Sequence, residues 1–184
     1  MSKLPTVAII GQANVGKSSM FNRLTRSRTA IVAREAGTTR DNVVGKVSYK
    51  RHNVDSTPSD DYSQFWLIDT AGLKTAEDEF EATIQDQIAD ASAAADVILV
   101  MVDSTVYPSD ADRQLAKKAL KSGKPVILIA NKADLKESLH VDEFKRLGVK
   151  TIIKTSAEHN IGISELLDNI ADLIPQAIVA APDD

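Results

Sequence analysis

The sequence predicts an α/β fold built on a mainly parallel sheet. Three features predict it. Short apolar runs alternate along the chain with segments of helical periodicity. The runs are continuously apolar, which suits strands buried on both faces. Most successive runs are joined by a helical pattern, the arrangement of βαβ units.

The elements follow in order. Residues 7–10 form the first strand, and a glycine-rich turn leads to a helix from Lys17 to about Leu24. Residues 43–49 and 65–68 carry no helix between them and read as a hairpin, which adds one antiparallel edge strand. Their loop, 50–63, is long, polar and rich in Ser and Asp, so it is expected to be mobile. A helix over 82–95 precedes the strand 97–102. The helix 110–121 ends in a Lys-rich turn before Ser122-Gly123, a stop signal. Strands follow at 125–130 and 149–153. The last helix, 163–174, aligns Leu166, Leu167, Ile170 and Leu173 and ends before Pro175. Residues 1–175 make one domain, and 176–184 read as an acidic linker or tail.

The composition narrows the possibilities. The 184 residues fit a single domain. Lys+Arg number 22 against 26 Asp+Glu, a net charge of −4, so bulk charge gives no reason to bind nucleic acid and only a local basic patch remains open. With no cysteine, disulfides, thiolate metal sites and cysteine nucleophiles are excluded. No apolar run approaches the roughly 18 residues needed to span a bilayer, and residues 1–5 lack the apolar core of a signal peptide. A cytoplasmic monomer without membrane contact is expected. His52, His140 and His159 show no metal-ligand spacing. Trp66 reads as core or sheet surface.

Residues 11–18, Gly-Gln-Ala-Asn-Val-Gly-Lys-Ser, fit G-x-x-x-x-G-K-[ST] between a strand and a helix. This P-loop lets backbone amides and a helix N-terminus face phosphates. Gly11, Asn14, Val15, Gly16, Lys17, Ser18 and Ser19 are its nucleotide-binding candidates. Lys17 would reach the β- and γ-phosphates, and the Ser18 hydroxyl would bind Mg²⁺. Asp69-Thr70-Ala71-Gly72 closes a strand; Asp69 can hold a water on Mg²⁺ and the Gly72 amide can meet the γ-phosphate. Between them lies 28–41, where Thr39 could complete Mg²⁺ coordination while the γ-phosphate is present, making the loop a switch. Its Thr residues also suit a plain lead into the next strand. Lys17, Thr39 and Gly72 are therefore the catalytic candidates.

Asn131-Lys132-Ala133-Asp134 ends another apolar strand. A carboxylate at Asp134 accepts from guanine N1–H and N2–H₂, a donor pair adenine lacks, so the motif favours GTP and GDP over adenine nucleotides. The Lys132 stem can lie along the base, and Asn131 can tie loops together. Ser156-Ala157, after the last strand, has side chains small enough for backbone amides to approach the guanine oxygen; Ser156 equally suits a helix N-cap. All these sites fall at strand C-termini, where open α/β sheets bind ligands.

In this order the motifs resemble the small GTPase fold over residues 6–174. The stretches 14–18, 21–24 (Phe-Asn-Arg-Leu), 37–41 (Gly-Thr-Thr-Arg-Asp) and 156–162 (Ser-Ala-Glu-His-Asn-Ile-Gly) are similar to the first G domain of the Der (EngA) family of bacterial ribosome-assembly GTPases. That resemblance implies a six-stranded sheet with about five helices, GTP hydrolysis, and a large-subunit or rRNA partner. The family carries two tandem G domains and a KH-like domain, and this sequence spans one G domain. The run 37–41 also resembles the GTPase domain of the tRNA-modifying MnmE (TrmE) family, which leaves that function as an alternative. Gln12-Ala13 replaces the family's usual Arg-Pro, with little effect expected because these positions contribute mainly backbone. In related GTPases an Asn at position 14 resembles a K⁺ ligand, so K⁺-stimulated hydrolysis is expected if Asn14 plays that part. In Ras-like proteins a Gln after D-x-x-G orients the attacking water. Here Leu73 stands there and cannot, so a guanine-nucleotide module with negligible intrinsic hydrolysis is the competing reading. Any basic patch for rRNA is sought at Arg23, Arg26 and Arg28, beside the switch.

Overall fold

The computed structural model describes residues 4–25, 31–34, 41–50, 62–69, 84–174 and 178–179. The elements run β1 (Thr6–Gly11), α1 (Lys17–Thr25), β2 (Ile31–Arg34), β3 (Asp41–Lys50), β4 (Tyr62–Asp69), α2 (Ile84–Ala94), β5 (Val97–Asp103), α3 (Asp110–Lys121), β6 (Val126–Asn131), a 3₁₀ helix (Val141–Leu147), β7 (Thr151–Lys154), α4 (Ile163–Leu173) and β8 (Ile178–Val179). They form one sheet in the order β2-β3-β4-β1-β5-β6-β7, with β8 paired to β4.

The six expected strands make up β3-β4-β1-β5-β6-β7 of this sheet, parallel except for β3. Two short strands extend them. β2 pairs antiparallel with β3, from Ile31 opposite Val44 to Arg34 opposite Asp41, so β3 is antiparallel but not the edge. Four residues of the expected switch loop are therefore strand; Ile-Val-Ala-Arg is too short to register as a periodic run. β8 pairs Ile178 and Val179 with Ser63 and Tyr62, inside the segment read as linker or tail. Its β-branched residues lie against the start of β4, ahead of the point where β1 joins at Trp66.

Alternation along each strand divides the core between the two faces. Val7 and Ile9 of β1 join Met20, Phe21 and Leu24 of α1 and Leu166 and Ile170 of α4 on one side. Ala8 and Ile10 join Leu115, Ala116 and Ala119 of α3 and Phe144 and Leu147 of the 3₁₀ helix on the other. The three-layer arrangement follows from strands apolar on both sides. The 3₁₀ helix was not evident in the sequence; it is capped by Gly148 in a left-handed conformation (φ 81°). Across the layers, Tyr49 of β3 donates its hydroxyl hydrogen to Asp168 of α4.

The parallel register aligns the strand ends. Gly11 lies opposite Met101, Ile9 opposite Asp69, and Asp103 opposite Asn131. The loops after β1, β5, β6 and β7, and the Asp69 end of β4, consequently gather along one edge of the sheet. No helix among the described residues is long and apolar enough to cross a membrane.

Candidate functional site

The first loop is shaped by its backbone. An ideal Cβ on Gly11 would come 2.8 Å from the Met101 carbonyl oxygen of β5. Gly16 adopts φ +101°, and a Cβ there would run into the side-chain amide of Asn131. Both positions therefore require glycine, for closeness at one and for backbone conformation at the other. Asn14 also lies in the left-handed region (φ 68°) and is exposed. Val15 is buried, while Ser18 and Ser19 are exposed in the first turn of α1. Lys17 is buried, and its Nζ donates to the Gly11 carbonyl at 2.5 Å. The lysine thus lies folded along the loop it belongs to.

Asn131 holds this loop to the other end of the site. Its Nδ2 donates to the Val15 carbonyl at 3.0 Å, and its Oδ1 accepts from Thr155 Oγ1 at 3.0 Å and from the Ala157 amide at 3.2 Å. One buried side chain therefore connects the phosphate loop, the end of β6 and the loop after β7. The Ala157 amide, expected to face the guanine oxygen, points here to Asn131 through a long bond, so contact with a base requires it to be shared. Ser156 does not cap α4, whose N-cap is Gly162. Its hydroxyl instead accepts from the His159 amide, and its backbone exchanges hydrogen bonds with Ile161. This closes residues 157–160 into a compact loop.

Lys132 takes a left-handed backbone (φ 67°), and its Nζ lies 2.9 Å from Asp103 Oδ2 at the end of β5. Burial raises the Asp103 pKa. Hydrogen bonds from the Thr105 hydroxyl, from Lys132 and from the Thr105 amide, together with the Lys132 charge, outweigh it and hold the carboxyl below its ordinary range. Asp134 Oδ2 lies 3.3 Å from His159 Nε2. Asp69, fully buried, ends β4 beside β1.

Three contacts were not legible in the sequence. Arg23 of α1 donates from Nε to the Ala157 carbonyl (2.7 Å) and from Nη2 to the Glu158 carbonyl (2.9 Å), so it braces the base loop. Gln12 Nε2 donates to Ser109 Oγ (2.6 Å) and Asp112 Oδ1 (2.7 Å). Those two residues form the capping box of α3, so the side chain at position 12 does structural work that was not expected of it. The Asp103–Lys132 pair is the third. Thr39, Gly72, Leu73, Arg26 and Arg28 lie outside the described residues, as does the loop 51–61.

A hydroxyl at Ser18 and a carboxylate at Asp69 are hard oxygen donors. They suit Mg²⁺, which keeps several waters and is completed by substrate phosphates. Among the described residues no group of three or more His, Asp or Glu forms a separate metal cluster.

A phosphate loop, a carboxylate at the end of a neighbouring strand and an Asn-Lys-x-Asp loop on one sheet edge define a P-loop nucleotide-binding protein of the GTPase class. The chain belongs to the family described as 50S ribosome-binding GTPase, whose model matches residues 6–132. It is 38% identical over 182 residues to GTPase Der of Thermomicrobium roseum, an alignment covering 94% of this chain and 37% of that protein. The chain thus spans little more than a third of the length of this relative. Its fold is similar to a variant of Aquifex aeolicus Era bound to GDP.AlF4-, with a TM-score of 0.70 and 28% identity over 98% of this chain and 60% of that one. It is similar also to Era in complex with MgGDPNP and nucleotides 1506–1542 of 16S ribosomal RNA, with a TM-score of 0.68 and 26% identity over all of this chain and 61% of that one.

Proposed function

We propose that this chain binds GTP and GDP, hydrolyses GTP to GDP and phosphate, and uses the difference between them as a conformational switch in cytoplasmic maturation of the large ribosomal subunit. The Der relative and the family description favour ribosome assembly over tRNA modification. The observation that carries the reading is Asn131, which joins a phosphate loop and a base loop into one hydrogen-bonded frame.

In this reading Asp134 accepts from guanine N1–H and N2–H₂ while the Lys132 stem covers the base. The loop amides of 14–19 and the Lys17 ammonium meet the β- and γ-phosphates. Water attacks the γ-phosphorus in line, the bond to the β–γ bridging oxygen breaks, and GDP leaves with that oxygen. Charge builds on the bridging and γ oxygens, and Lys17, turned from the Gly11 carbonyl toward the phosphates, would stabilise it together with the loop amides. Mg²⁺, held by Ser18, by Thr39 and through a water on Asp69, would neutralise phosphate charge when bound. The Gly72 amide would report the γ-phosphate. Asn14 offers a side-chain carbonyl suited to K⁺, and a higher turnover in KCl than in NaCl is expected; equal rates would remove that role.

The test is nucleotide binding and single-turnover hydrolysis by the purified chain with Mg²⁺ and K⁺. Preference for GTP over ATP with measurable phosphate release supports the reading. Tight GTP binding without release would instead support a guanine-nucleotide module that switches by exchange, which Leu73 favours.

A further inference from the structure

The net charge of −4 conceals a strong segregation. Residues 110–124 and 141–150 carry eight Lys and Arg against four Asp and Glu, so the rest of the chain carries −8. These two segments are α3 with its exit turn and the 3₁₀ helix with the start of the path to β7, packed together on one face of the sheet. Between them lies a cleft of about 440 Å³, lined by Arg113, Lys117, Leu120, Lys121, Arg146 and Leu147.

Three of the four acids of this region are already engaged, and Glu143 is the fourth. Asp110 pairs with Arg113, Asp112 is buried in the α3 cap, and Asp142 pairs with Lys145 and His140. Among the described residues no carboxylate pairs with Lys117, Lys121 or Arg146. On α3, residues 113, 117 and 121 repeat every four positions and so stand in a row, about 6 Å apart along the axis. Arg146 of the 3₁₀ helix lines the same cleft, and Leu120 and Leu147 give it apolar surface that lysine stems can cover.

We propose that this cleft binds the phosphate backbone of an RNA strand. A row of cations one helical turn apart, beside apolar side chains, matches regularly spaced phosphates separated by sugars. The match reads backbone and not sequence. The proposal deepens the ribosomal reading above and rests on it for the choice of RNA. The site is distinct from the nucleotide loops, because none of its lining residues belongs to them.

The experiment measures fluorescence anisotropy of a labelled RNA hairpin with a single-stranded tail, using the full chain bound to GDP, across a series of KCl concentrations. Wild type is compared with a triple variant carrying Lys117→Ala, Lys121→Ala and Arg146→Ala, and with one carrying Lys117→Arg and Lys121→Arg. The triple variant is expected to lose at least about tenfold in affinity and to flatten the slope of log K against log salt by about three, one for each phosphate contact removed. The arginine variant is expected to keep wild-type binding. Unchanged RNA affinity and slope in the triple variant would overturn the proposal. So would equal displacement of the RNA by polyglutamate of matched charge, which would mark the cleft as a site for acidic protein. GDP affinity is measured in the same samples. If it is tight and guanine-specific in all three while RNA binding fails to respond, only the cleft assignment falls. If guanine specificity is missing in wild type, the nucleotide reading falls, and the RNA readout still judges the cleft.

Discussion

The side-chain amide of Asn131 donates to the backbone carbonyl of Val15, joining two loops 116 residues apart in sequence. The same side chain accepts from Thr155 and Ala157, so its two ends hold three loops in register. Replacing it with alanine leaves a carbonyl, a hydroxyl and an amide without their partner in a buried place. The expected cost is about 2–4 kcal/mol, a fall in Tm of about 5–12 °C for a domain of this size. Thermal unfolding followed by circular dichroism measures it, and guanine-nucleotide affinity should fall in parallel.

Gly16→Ala tests the same junction from the other side. The added methyl meets the Asn131 amide at a backbone angle of +101°. Strain of about 1–3 kcal/mol is expected, with a loss of GDP affinity of at least about tenfold by calorimetry. A variant that bound GDP normally would show that the loop opens freely away from Asn131.

Asp134→Asn probes the base end. The carboxylate presents two acceptors to guanine, and an amide replaces one with a donor that faces another donor. GTP affinity should fall by about a hundredfold or more, while ATP affinity stays low and nearly constant. Competition between the two nucleotides for one fluorescent probe measures the ratio directly.

Arg23→Lys separates geometry from charge. The guanidinium reaches two successive carbonyls, Ala157 and Glu158, from Nε and Nη2. An ammonium keeps the charge but not the planar fork. Global stability should change by less than about 1 kcal/mol, whereas GDP dissociation should quicken several-fold in a stopped-flow measurement.

Acid sensitivity follows from Asp103. Its folded-state pKa lies below the ordinary 3.8 because Thr105 and Lys132 stabilise the carboxylate against the effect of burial. A depressed carboxylate contributes stability that is fully present above its unfolded value and is lost as pH falls through the folded one. Urea midpoints should therefore converge between wild type and Asp103→Asn as pH is taken below about 4, and separate above it, with wild type the more stable.

Much of this architecture is legible in the sequence because it depends on local pattern. The apolar runs at 97–102 and 125–130 announce buried strands, and the glycine-rich loop ending in Lys17-Ser18 announces its own helix. What escapes notice is long-range or short. Gln12 meets Ser109 and Asp112 about 100 residues away, and nothing in its neighbours signals that contact. Arg23 looks like one of several surface arginines until the fold brings the 157–158 carbonyls to it. The 3₁₀ helix offers only Phe144 and Leu147 as buried residues, too few to show a period. The basic cleft is invisible in a net charge of −4, because charge adds along a chain without regard to where the fold puts it.

Asn14, Lys132 and Asn160 are the non-glycine residues at positive φ among those described, and each sits in a loop on the strand-end edge. Left-handed backbone at such residues is uphill by itself, so surrounding contacts must impose it. A cradle bent in advance asks little ordering of its guest, and contacts made on arrival appear almost undiminished as affinity. Differences in affinity between guests at that edge are then expected chiefly in how long each one stays.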